Sequence, residues 1–121
     1  MIKVLLTQGQ IAQAVKRLSR EIRRDYTDRN PLFICVLKGA FIFMADLVRA
    51  LNMPVEVEFV RALSYVGTES TGRVDILGLG QFYSIEHGSL LRDRSIIVVE
   101  DIVDTGLSLS RLFDELNALK P

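Results

Sequence analysis

The stretch from Ser95 to Ser108, S-I-I-V-V-E-D-I-V-D-T-G-L-S, limits what this chain can fold into more than any other. It begins with four consecutive β-branched residues, Ile96 to Val99. Such a run suits a strand covered on both faces in a parallel sheet, not one with a wet side. The strand stops at carboxylates: Glu100, Asp101 and Asp104 come close together, and Thr105, Gly106 and Ser108 follow. An apolar periodicity then starts at Leu109 and continues through Leu112, Phe113, Leu116 and Leu119, as in a helix with one buried face. The order is therefore strand, acidic tip, small-residue turn, helix.

A turn of this kind leaves backbone N–H groups unpaired at a helix N-terminus, where the helix dipole also favours an anion, so it can hold a phosphate. Gly106 lets a ligand approach the backbone, and the hydroxyls of Thr105 and Ser108 can donate to phosphate oxygens. Three carboxylates would repel a phosphate unless a cation or sugar hydroxyls intervene. The tip reads as a site for a sugar phosphate with Mg²⁺. The plain alternative is a strand-to-helix connection with an acidic N-cap.

At these residues the chain resembles a known family. A hydrophobic strand, Glu-Asp, two aliphatics, Asp, Thr or Ser, Gly, any residue, then Ser or Thr is the phosphoribosyl pyrophosphate (PRPP) motif of the type I phosphoribosyltransferases. V-V-E-D-I-V-D-T-G-L-S matches it at every defining position. T-Q-G-Q-I near the start, V-L-K-G-A-F-I-F-M-A-D-L-V-R-A in the middle and S-Y-V-G-T-E-S-T-G-R-V after it resemble the hypoxanthine-guanine branch. The resemblance covers most of the chain except about Leu77 to Arg94.

The resemblance implies a three-layer α/β domain over residues 1–121 with a short, mostly parallel sheet. It corresponds to the N-terminal two-thirds of such an enzyme. It also implies a reaction that joins hypoxanthine or guanine to PRPP with Mg²⁺, giving IMP or GMP and pyrophosphate. Glu100 and Asp101 would contact the ribose hydroxyls and the metal, and Asp104 would take the proton from the purine ring nitrogen. Thr105, Gly106, Leu107 and Ser108 would hold the 5′-phosphate. Leu37, Lys38 and Gly39 would bind pyrophosphate through the backbone, with a non-proline cis peptide between Leu37 and Lys38. Ser64 and Tyr65 would stand at the base of a lid.

Composition adds bounds. With 121 residues, 49% hydrophobic, the chain can bury one core. Fifteen basic residues balance fifteen acidic ones, so no net field argues for nucleic acid or an anionic membrane. The single cysteine, Cys35, lies in an apolar run and offers neither a disulfide framework nor a metal cluster. No stretch resembles a signal peptide or membrane span, so a cytoplasmic protein is expected.

In chain order, Thr7 and Gln10 make a capping-box pattern, and Ile11, Ala14, Val15, Leu18 and Ile22 recur at helical spacing. Lys16, Arg17, Arg20, Arg23 and Arg24 lie on the other face, which reads as solvated. After a polar turn, Leu32 to Leu37 reads as a second buried parallel strand ending at Lys38 and Gly39. The helix Ala40 to Leu51 is apolar on most of its circumference. It predicts cover by the sheet and by another subunit, hence a homo-oligomer, dimer or tetramer. Asn52 and Pro54 stop it. Val55, Val57 and Phe59 alternate with Glu56 and Glu58, predicting a strand with one wet face or near an edge. From Ala62 to Val74 a polar, glycine-bearing stretch reads as a long hairpin.

The chain departs from the branch at Leu77 to Arg94, which is longer here by several residues. Gly78 and Gly80 begin a G-x-G pattern without a strand-to-helix context, so no dinucleotide site is expected. His87, the only histidine, reads as a turn residue. The branch's purine-reading lysine, stacking aromatic and late aspartate, with its C-terminal strands, have no counterpart up to Pro121. This leaves the Ile96 to Val99 strand uncovered at one edge and predicts no transferase activity for the chain alone. A regulatory PRPP-binding module that keeps the phosphate loop is the competing reading, and a receiver-like phosphoacceptor domain would carry its acidic pair after the first strand.

Overall fold

The computed structural model describes residues 3–65, 73–102 and 106–121. In chain order these form α1 (Gln8–Tyr26), β1 (Leu32–Leu37), α2 (Phe41–Leu51), β2 (Glu56–Tyr65), β3 (Arg73–Leu77), a 3-10 turn (Leu79–Phe82), the short strands β4 (Tyr83–Ser84) and β5 (Gly88–Ser89), β6 (Ile96–Val99) and α3 (Leu107–Ala118). The main sheet has the order β3-β2-β1-β6. β1 pairs in parallel with β2 and β6, whereas β2 and β3 form the antiparallel hairpin arm.

The alternation of β1 explains why its sequence is apolar throughout. Phe33 and Cys35 face α1 and α2 and join Val15, Ile22, Met44, Leu47, Leu51 and Val99 in one core. Leu32, Ile34 and Val36 face the opposite way and pack with Val60, Phe82, Leu91, Leu112 and Leu116. Helices thus cover both faces of a short, mostly parallel sheet, the expected three layers. β6 has the uncovered edge expected of it, but not the burial on both faces. Only Val99 is buried, and Ile96, Ile97 and Val98 are half-buried, because β6 is the last strand of the described sheet and has a single neighbour.

The helices begin and end where local chemistry places them. Gln10 N–H donates to Thr7 Oγ1 at 3.1 Å and Thr7 N–H donates to Gln10 Oε1 at 2.8 Å, so the capping box forms. Arg23 donates to the carbonyls of Leu51 (2.9 Å) and Ala50 (3.1 Å), tying α1 to the negative end of α2. Asn52 ends α2 in the left-handed conformation, φ 49°. Ile11, expected inside, is 50% exposed, because the first turns of α1 extend past the layer they cover. Lys16, Arg17 and Arg20 face solvent as read.

Residues 77–94 have a packing role that periodicity did not reveal. Phe82 and Leu91 are buried against the α3 face. Ser89 Oγ donates to the carbonyl of Leu119, and Ser89 Oγ accepts from Leu91 N–H at 3.2 Å. Gly78, φ 100°, lies between β3 and a single 3-10 turn. A strand does precede it, which the sequence reading did not expect, but no α-helix follows to hold a dinucleotide phosphate. His87 is exposed between β4 and β5, its Nε2 3.6 Å from Glu86 Oε2.

Candidate functional site

The parallel register of β1 with β6, in which Cys35 faces Val99, brings the C-terminal ends of these strands to one rim. Open parallel sheets bind ligands at that rim. β1 runs into the turn Lys38–Gly39–Ala40, and the Leu37–Lys38 peptide is cis, as the resemblance implied. β6 runs into Glu100 and Asp101. The two turns touch: a Cβ on Gly39 would lie 1.9 Å from Asp101 Oδ2 and 2.5 Å from its Cγ. Leu37, Lys38 and Gly39 are therefore brought together with Asp101.

The acidic pair is held by its own backbone. Asp101 N–H donates to Glu100 Oε1 at 3.0 Å, and Ile102 N–H donates to Asp101 Oδ1 at 2.8 Å. Burial, with the neighbouring Asp101, pushes the Glu100 carboxyl above its ordinary value of 4.5. Asp101 is held below its ordinary 3.8 by the hydrogen bond with the Glu100 carboxyl and by Ile102 N–H. Beneath them Cys35 is fully buried, and burial together with Glu100 and Asp101 raises its thiol. Such a thiol is poor in the thiolate form that reacts.

Two adjacent carboxylates offer hard oxygen ligands. Among the described residues no group of three or more His, Cys, Asp or Glu could hold a metal. That donor set fits Mg²⁺, which commonly takes one or two carboxylates and fills its octahedron with water and substrate phosphate oxygens.

α3 opens at the same rim. Gly106 adopts φ 80°, carries no side chain to cap the helix, and its carbonyl accepts from Ser110 N–H at 2.8 Å. The first turn, which includes Leu107 and Ser108, contains no acidic residue, so the end of the helix dipole is not neutralised there. Asp104 and Thr105 lie outside the described residues, as does the hairpin tip at 66–72. Ser64 and Tyr65 end β2, paired with Val74 and Arg73.

Beside the Leu37 turn is an open apolar groove of about 640 Å³, lined by Leu37, Phe41, Met44, Val48, Val57 and Phe59. Phe41 and Ile42 are 54% and 62% exposed. The sequence reading found the apolar excess of α2 and placed Phe59 on the apolar face of its strand, but did not show that Phe59 lines an open groove. The signal was available: Phe59 continues the Val55 and Val57 face past the part that α2 covers. No helix among the described residues is long and apolar enough to cross a membrane.

Comparison with known proteins extends this picture. The family model for the phosphoribosyl transferase domain matches residues 1–121. The chain is 37% identical over 119 residues to a hypoxanthine-guanine-xanthine phosphoribosyltransferase of Tritrichomonas foetus, covering 98% of this chain and 61% of that protein. A crystal structure of a hypoxanthine-guanine phosphoribosyltransferase from Bacillus anthracis superposes with a TM-score of 0.81 at 35% identity, covering 100% of this chain and 66% of that one. A hypoxanthine phosphoribosyltransferase from Trypanosoma cruzi, in complex with the product IMP, superposes at 0.78 and 35% identity, covering 98% and 65%. The chain thus spans less than two thirds of the length of these relatives. Since the match runs from the first residue to the last on a matching fold, this chain belongs to the phosphoribosyl transferase domain family.

Proposed function

We propose that the chain carries the PRPP-binding part of a purine salvage enzyme, one that transfers ribose 5-phosphate to hypoxanthine or guanine and releases pyrophosphate. The observation that carries this reading is the contact between Gly39 and Asp101, which joins a backbone turn suited to an anion with a pair of carboxylates suited to sugar hydroxyls. The names of the relatives, one of them bound to IMP, support the substrate class.

In this reading Lys38 and Gly39, with Leu37, hold the pyrophosphate group of PRPP at the end of β1. Glu100 and Asp101 accept hydrogen bonds from the ribose hydroxyls. Gly106, Leu107 and Ser108, with Thr105, hold the 5′-phosphate at the start of α3, where the dipole favours an anion. Glu100 and Asp101 would hold a bound Mg²⁺, which would supply positive charge to offset the negative charge on the departing pyrophosphate. As the bond from the anomeric carbon to pyrophosphate breaks, positive character grows on the ribose, and the carboxylates beneath it stabilise that charge. Asp104 takes the proton from the purine nitrogen that bonds to this carbon. Ser64 and Tyr65 anchor the hairpin that excludes water.

The partners are PRPP, the purine base and a second copy of the chain, with neither nucleic acid nor membrane among them. The groove along Phe41 and Phe59 favours self-association, because it leaves a continuous apolar face beside α2. A cytoplasmic setting accords with a single, buried and unpaired cysteine.

Calorimetry tests the site. The chain is expected to bind PRPP more tightly with Mg²⁺ than without, and an identical affinity in both conditions would remove Glu100 and Asp101 from the metal role. In a nucleotide-forming assay of a full-length parent enzyme, Asp104→Asn should keep PRPP binding and lose about 10²- to 10⁴-fold in rate, the usual worth of general base assistance. Equal rates would remove Asp104 from the mechanism.

A further inference from the structure

Gly39 is one of few glycines whose role the geometry isolates. Its backbone is not in the left-handed region, where Gly78, Gly88 and Gly106 are found. Other residues could therefore adopt its conformation, and conformational freedom does not explain a glycine here. Space does: an added Cβ would stand 1.9 Å from Asp101 Oδ2, 2.5 Å from Cγ and 3.0 Å from Oδ1, so the entire carboxylate would have to move. Elsewhere that group is held by Ile102 N–H, which donates to Oδ1 at 2.8 Å, and by its hydrogen bond with the Glu100 carboxyl. Oδ2 rests on the bare Cα of the turn.

We propose that Gly39 is a positioning residue for Asp101: the missing side chain seats the carboxylate on the pyrophosphate turn and thereby makes anion binding there depend on a divalent cation. This rests on reading the rim as a PRPP site. An anion entering the turn meets a carboxylate in contact with the same backbone. The two repel each other at short range, unless a cation is shared between them. The cation requirement then follows from where Asp101 is seated as well as from its charge.

Four proteins test it: the unsubstituted chain, Gly39→Ala, Asp101→Ala and the double variant, each titrated calorimetrically with inorganic pyrophosphate with and without Mg²⁺. The unsubstituted chain should bind more tightly with Mg²⁺. Gly39→Ala should lose that enhancement, on the order of tenfold for residues in direct contact. Asp101→Ala should bind equally well in both conditions, and adding Gly39→Ala to it should change nothing further. A glycine needed only by the turn would weaken binding equally in both Asp101 backgrounds and in both Mg²⁺ conditions, and that result would overturn the proposal. If the unsubstituted chain binds no pyrophosphate in either condition, the PRPP reading fails, and the melting temperatures of the same four proteins decide the seat. A loss on Gly39→Ala that vanishes in the Asp101→Ala background supports it, and an additive loss overturns it.

Discussion

Glu100 sits where stability and function pull in opposite directions. Its folded-state pKa is raised above the ordinary 4.5, mainly by burial. A carboxyl raised in this way contributes stability below its ordinary value, and that contribution is lost as pH rises through the raised one. Above that raised value the group carries its charge in a place that disfavours it. Glu100→Gln removes that penalty and keeps an oxygen that accepts from Asp101 N–H. It should raise the melting temperature at pH 7, with the gain shrinking as pH falls through the raised pKa and gone once pH is below 4.5. The same variant should lose the Mg²⁺ enhancement of PRPP binding. A melting temperature unchanged at pH 7 would show that Glu100 is well solvated. Asp101 has the opposite sign: its lowered pKa gives stability present above 3.8 and lost as pH falls.

Among the elements, residues 77–94 hold the least legible packing. Their glycines and polar residues conceal two anchors, Phe82 at 3% and Leu91 at 1% exposure, that close the α3 side of the core. Leu91→Ala should cost about 2–5 kcal/mol, the range for emptying a buried leucine site. Denaturant unfolding measures it, and a loss near zero would mean that the segment packs loosely and is not part of the core. The α1 capping box, by contrast, was legible because Thr7 and Gln10 are local partners whose spacing alone brings them into contact. Ile11 shows the limit of such reasoning, since helical spacing places it on the apolar face but not under a neighbour.

At the level of the whole molecule, Phe41, Ile42 and Phe59 are left exposed, and Phe41 and Phe59 line one apolar groove that the proposed second copy would cover. Size-exclusion chromatography with light scattering should find a dimer or larger assembly, and Phe41→Glu with Ile42→Glu should shift it toward the monomer. A monomer at every concentration of the unsubstituted chain would remove self-association from the proposal. The open side of β6 is a second place where backbone groups lack a strand neighbour among the described residues.

The sequence alone determined what depends on near neighbours. The unbroken run Leu32 to Leu37 specified a strand buried on both faces, the Thr7 box specified a helix start, and the E-D tip before a glycine turn carried the resemblance to the phosphoribosyltransferase motif. Asp104 and Thr105 belong to that legible motif, although they lie outside the described residues. Tertiary structure decided what depends on strand order, which no local pattern encodes. Only the placement of β6 beside β1 brings Asp101, 62 positions after Gly39, onto the glycine's bare Cα. Only the edge position of β6 leaves Ile96 to Val98 half-covered, and only the return of residues 77–94 beneath α3 buries Leu91. The physical reason is that hydrogen-bond spacing and apolar periodicity are properties of a segment, whereas burial and contact are properties of what packs against it.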